Sequence, residues 1–443
     1  ARIHDSGSVR ITVDGVTHGG IAGEAGDGQE SVTESDFTVK ANDETQSFAH
    51  SFGVSASVIS NVGVAQATID KTGSTDVTIK GSTFANDRVN VTAAGGIQGS
   101  NDSEAMRLNA TTESYGGSVV GTFLFNEATV NNTYGVNLTV EGGDYSASNN
   151  VNLLSSAYVR YDVLADTGSG GLLNSGNNKA EVNHGVQVTT LLNDLGLLKA
   201  LTANAINADY STLTSESAGG GILSTGAATE GASPATTNHF NTAQTTMTVK
   251  GELHADEDLY LAAENIINAG FKADNTLGTG IGSSGALLNN SNTTTASVLF
   301  DKNATVVADG KLTARASTNS DLHSADGYYV VDSGVYGLAA GSEISLNNTE
   351  NNTNTVQVAD GARVESADDM VLEAKTVRHT DLRTLSRTAG VVNGATAYNT
   401  HNILSNNHID IDKASVSVTG LEKTLTAAAS KPCANGFAPP PQK

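Results

Sequence analysis

The sequence predicts an all-β chain folded as a parallel β-helix, or β-solenoid. Three observations predict it: a template of apolar and small residues recurring about every 55 residues, period-two alternation inside each copy, and a composition with little bulky core material.

The template is clearest in Leu253, Ala255, Leu259, Leu261 and Ala263. The same spacing returns at Val306, Ala308, Leu312, Ala314 and Ala316, and again at Val364, Ser366, Met370, Leu372 and Ala374. Upstream it fits Tyr145, Ala147, Val151, Leu153 and Ser155, and before that Thr83, Ala85, Val89, Val91 and Ala93. A weaker copy is Leu195, Leu197, Leu201, Ala203 and Ala205, and a degenerate first copy ends in Phe37, Val39 and Ala41. The anchors fall at 37, 89, 151, 201, 259, 312 and 370, a mean period of 55.5 residues over six intervals. An eighth copy begins at Ala414-Ser415-Val416 and fades toward Leu425.

Each anchor follows a short alternating strand, such as Met247-Thr248-Val249, Val298-Leu299-Phe300 or Val356-Gln357-Val358. Asp and Gly between strands, as in Ala308-Asp309-Gly310 and Ala359-Asp360-Gly361, supply tight corners. About 20 residues after each anchor comes a second motif of paired glycines: Gly117 to Gly121, Gly334 to Gly337, Gly390 to Gly394. It divides the unit into halves, each long enough for one coil. The expectation is therefore about two coils per ~55-residue repeat, and a rod of about 75–80 Å at ~4.8 Å per coil. Hairpin-built sandwiches do not repeat one template seven times, and the absence of Trp ranks a propeller second.

The segment from Leu191 to Leu201 also fits a short amphipathic helix, but the repeat register favours strand. Four of the five prolines lie at Pro432, Pro439, Pro440 and Pro441. The expected organisation is one continuous solenoid of seven to eight degenerate repeats over 1–426, then a Pro-rich tail or linker over 427–443.

Composition limits function. Charged residues are 16%, aromatics 5%, and the net charge is −23. Without clustered Lys and Arg there is no face for nucleic acid. No run of about 18 apolar residues exists, so no transmembrane segment is expected. The start at Ala1-Arg2-Ile3 suggests a processed product or a fragment. The single cysteine, Cys433, rules out a disulfide framework. It reads either as an inert exposed thiol or as a candidate intermolecular disulfide.

No catalytic or cofactor-binding constellation is legible. Asp309, Asp360, Asp368 and Asp369 read as turn formers, and no residue is assigned as catalytic or as a metal ligand. Ca²⁺ is the one cofactor the carboxylates suggest, at Asp256-Glu257-Asp258 and Asp368-Asp369, although EF-hand spacing is absent. His254 lies between template positions and should point outward, while His379 and Asp381 share a strand face. The turn-rich stretch from Ala218 to Asn241 breaks register most and is the candidate binding segment.

The strings Thr305-Val306-Val307-Ala308-Asp309-Gly310-Lys311-Leu312-Thr313-Ala314-Arg315-Ala316 and Ala362 through Ala374 resemble the repeat regions of filamentous-haemagglutinin-like exoproteins and autotransporter adhesins of Gram-negative bacteria. The resemblance covers roughly residues 9–426. It implies a right-handed parallel β-helix displayed extracellularly at the cell surface, associated with the outer membrane. Such a protein is a passive shaft that serves adhesion or biofilm formation. The implied partners are a host or neighbouring-cell surface, matrix or glycan. A close variant is a self-assembling extracellular filament subunit that associates end to end. A polysaccharide-active β-helix enzyme, a lyase or depolymerase, follows from fold analogy alone.

Overall fold

The computed structural model describes residues 1–15, 17–19, 36–85, 88–97, 105–145, 150–225, 235–420 and 424–430. Among these there are strands and turns but no helix. The anchors stack as the repeat predicts. Phe37 pairs with Val89, Val89 with Val151, Val151 with Leu201, Leu201 with Leu259, Leu259 with Leu312, Leu312 with Met370, and Met370 with Leu425. All these pairings are parallel, so the ladder climbs eight rungs with its inward columns in register. The fading eighth copy is a real rung, and its anchor is Leu425.

One rung shows the path. From Leu259 the chain runs out to Gly278, reverses near Gly280, and returns through Ser284–Asn292. It continues along Thr294–Phe300, turns, and forms the short corner strand Thr305–Ala308 before Leu312 opens the next rung. The corner strands Gly196–Leu198, Glu252–Ala255, Thr305–Ala308, Arg363–Ser366 and Ser415–Val418 make a separate five-stranded parallel sheet.

This path corrects the expected two coils per repeat. Ladder bonds join residues one whole repeat apart, so each repeat is a single coil. The paired-glycine motif is not a boundary between coils. It is the reversal at the end of an arm whose outgoing and returning legs face each other through side chains. Asn275 Nδ2 donates to the Gly285 carbonyl at 3.1 Å and Ser114 Oγ to Asn126 Oδ1 at 2.7 Å, both across that gap. Eight rungs at ~4.8 Å make a stack of about 35 Å, half the expected height.

The reversal needs glycine because successive rungs approach closely there. A Cβ on Gly337 would lie 1.8 Å from the Thr279 carbonyl oxygen, and one on Gly390 2.1 Å from that of Gly337.

Each coil has two lobes. The body is lined by Val, Leu, Ile, Met and Ala from the template and the strand that precedes it, for example Leu261, Val298, Val306 and Leu312, all fully buried. Each such aliphatic side chain contributes about 1.5–3 kcal/mol on burial. The arm is lined by small polar residues: Ser114, Asn126, Thr167, Asn178, Ser284, Ser333. Their burial is tolerated because they hydrogen-bond across the gap.

Three local expectations change. The stretch from Leu191 to Leu201 is strand, as the repeat register favours, but it is broken by a corner where Asp194 at φ 51° and Gly196 at φ 67° make the bend. That corner is one residue shorter than its neighbours, so Gly196 and Leu198, not Leu195 and Leu197, stand under Leu253 and Ala255. Tyr145 likewise pairs with Phe84 rather than Thr83. The last rung runs through Ser430, four residues past the expected boundary at 426. Residues 431–443, with Cys433, lie outside the described residues.

Candidate functional site

A buried polar seam runs along the stack where arm meets body. One register position holds Asp5, Lys71, Asn132, His184, Asn241, Asn292 and Glu350 on successive rungs. Six of these seven residues are fully buried, all but the terminal Asp5. Lys71 Nζ meets Asp5 at 3.0 Å and Asp43 at 2.9 Å. Higher up, Asp209, His239, Asn290, Asn348, Glu350 and Arg378 form one hydrogen-bonded chain across several rungs. Arg378 closes it on Ser405.

The seam holds two histidines in opposite states. Tyr161 OH receives a hydrogen bond from Asn132 and donates to His184 Nδ1, and His184 Nε2–H donates to Asn207. With one nitrogen accepting and burial opposing charge, His184 is neutral and its pKa is lowered. His239 donates from both nitrogens, to Asp209 at 2.9 Å and to Asn290 at 2.7 Å. Burial would lower its pKa, but the Asp209 charge and hydrogen bond outweigh that and raise it. Burial would likewise raise Asp209, yet the His239 charge holds it down at about 2. These groups have perturbed pKa values, but they lie inside the sealed stack, where no substrate reaches them.

On the outer face of the outgoing leg a second column stands in register: Glu113, Asp166, Glu216, Asp274 and Asp332, one carboxylate per rung. Burial, then the neighbouring acids, raises the pKa of Asp166 and Asp274. Tyr115 OH donates to Asp166 at 2.5 Å, and that bond with burial pushes the phenol up to about 12. Lys272 bridges Glu216 and Asp326, and Arg387 holds Asp332 at 2.6 Å. Sequence reading placed the acids mainly at turns and missed this column. Its five members are 50–58 residues apart and carry no local motif.

The returning leg carries a shallow groove of about 420 Å³ lined by Val64, Phe125, Glu127, Lys179, Asn238 and Asn289. Lys179 sits between Glu127 at 3.1 Å and Glu181 at 2.7 Å, so the charge of the lysine is compensated by carboxylates on its own strand and the neighbouring one. At the arm tip Val120, Leu172, Ile222, Leu338 and Val391 leave an exposed aliphatic edge along the stack.

The residues singled out by sequence fare unevenly. Asp309, Asp360, Asp368 and Asp369 do sit at turns or beside them. Asp256, Glu257 and Asp258 do not converge: Glu257 pairs with Lys199, and Asp258 accepts from the Lys311 N–H. Asp369 likewise caps the Thr424 N–H. His254 and Asp256 instead meet Asp309 of the next rung. Asp381 is claimed by Arg383, not His379. In the candidate binding segment, Ala218–Thr225 and Ala235–Asn241 belong to the regular ladder, and 226–234 lie outside the described residues. No family model, curated protein or solved structure matches this chain.

Proposed function

We propose that the chain is a segment of an extracellular structural and adhesive shaft, a right-handed parallel β-helix displayed on a bacterial surface. The observation that carries this reading is the unbroken register of eight rungs with the buried seam running through them. Strong, unusual electrostatics are spent inside the stack on holding rungs together. The partner of such a shaft is a cell surface, matrix or glycan. Stretching the full chain with optical tweezers tests the reading. A shaft should unravel rung by rung, in contour steps of about 180–200 Å for ~55 residues. A single all-or-none rupture of the whole chain would sink it.

A second reading, a polysaccharide-active β-helix enzyme, is favoured by the carboxylate column, where Asp166 and Asp274, with raised pKa, stand in register with further carboxylates. A screen of acidic and neutral glycans for new reducing or unsaturated ends decides it. Product formation abolished by Asp166→Asn would put the enzyme reading first, and no product from any glycan removes it.

A further inference from the structure

The corner where the small sheet turns back into the body brings together His254, Asp256 and Asp309. His254 and Asp256 flank the end of the strand Glu252–Ala255. Asp309 stands one rung above, its N–H bonded to the Ala255 carbonyl at 2.8 Å, which places it over Asp256. One donor atom from each of the three lies within 4.8 Å of the others.

The rest of the corner is accounted for. Asp258 caps Lys311, Glu257 pairs with Lys199, and Asp194 on the rung below accepts from the Glu252 N–H. His254 Nε2 is shielded from solvent yet makes no hydrogen bond, and its nearest anion is Asp309 Oδ1 at 3.4 Å. That separation is too long for a good hydrogen bond. It does match the donor-to-donor edge of a tetrahedral zinc site, about 3.3–3.4 Å for ligands about 2.0–2.1 Å from the ion. Two carboxylates stacked on adjacent rungs repel each other unless a cation lies between them.

We propose that His254, Asp256 and Asp309 form a binding site for a divalent transition cation of the zinc class. One imidazole nitrogen and two carboxylate oxygens fit borderline ions, whereas Ca²⁺ takes six to eight oxygens and no nitrogen. Water completes the coordination, because Asp256 and Asp309 are exposed. The ligands come from two successive rungs, so the ion joins them.

The test uses the full chain after treatment with chelator and titration with Zn²⁺, read by calorimetry, and with Co²⁺, read by visible absorption. One ion per chain should bind, with a single imidazole in its first shell by X-ray absorption. His254→Ala and Asp256→Asn should each weaken binding at least about tenfold. Asp256 is exposed and makes no side-chain hydrogen bond among the described residues, so its variant keeps the fold. His323→Ala, which removes a histidine that stands 3.6 Å from Asp321 and outside the corner, should leave binding unchanged. The site is overturned if no stoichiometric ion binds at micromolar Zn²⁺, or if both corner variants bind as tightly as the parent.

Discussion

Body and arm are two ways of closing the same coil. In the body, Leu261, Val298 and Leu312 exclude water with aliphatic side chains, and each rung adds apolar area to the last. In the arm, Ser114, Asn126, Thr167 and Asn178 exclude it with hydrogen bonds across a narrow gap. The body tolerates errors of position but not of volume. The arm tolerates neither a larger residue nor a lost partner, since an unpaired buried polar group costs about 1–3 kcal/mol. The seam between them carries charge and belongs to both lobes.

The seam should give the largest effect. Asp209→Asn leaves the His239 imidazolium buried without its counter-charge, and a loss of about 3–5 kcal/mol is expected in denaturant unfolding. His239 should then titrate lower, which NMR of the imidazole reads directly. A loss below about 1 kcal/mol would show that the seam does not hold charge. Leu261→Ala, wholly in the body, should cost about 2–5 kcal/mol by the same measurement.

The two histidines predict opposite pH limbs. His184 has a folded pKa below 6.5, so the unfolded chain gains a proton first as pH drops, and stability falls below about pH 6.5. His239 has a folded pKa above 6.5. Its contribution is full below that value and is lost as pH rises through the folded pKa. Thermal midpoints measured from pH 4 to 9 should show a flattened acid limb in His184→Gln and a flattened alkaline limb in His239→Gln. Matching profiles in both variants would remove the assignment of protonation states.

Asn292 sharpens the contrast in the other direction. It is fully buried in the seam, and neither its Oδ1 nor its Nδ2 has a hydrogen-bond partner among the described residues. Asn292→Leu should therefore raise stability by about 1 kcal/mol, and a clear loss would mean that the amide is satisfied. The smallest effect belongs to the arm tip. Leu338 is 67% exposed, so Leu338→Ser should change stability by less than about 0.5 kcal/mol. A larger change would show the tip to be covered.

The period, the anchors, the parallel stacking and the turn acids were all legible in the sequence. Each depends on residues that repeat at the same register or sit close together in the chain. Leu259, Leu312 and Met370 announce one another because an inward column demands the same kind of side chain on every rung. The number of coils per repeat was not legible. Two legs that face through side chains and two coils that stack through backbone bonds produce the same alternating text, and only the partner of each N–H tells them apart. The same holds for the carboxylate column, the His–Asp–Asp corner and the charged seam. Members on different rungs lie tens of residues apart along the chain and come together only once the register is set, to the residue, by corners such as Asp194–Gly196. Local alternation determined that this chain stacks. The tertiary structure decided which polar residues meet, because a one-residue change in a corner turns a side chain from the interior to the surface.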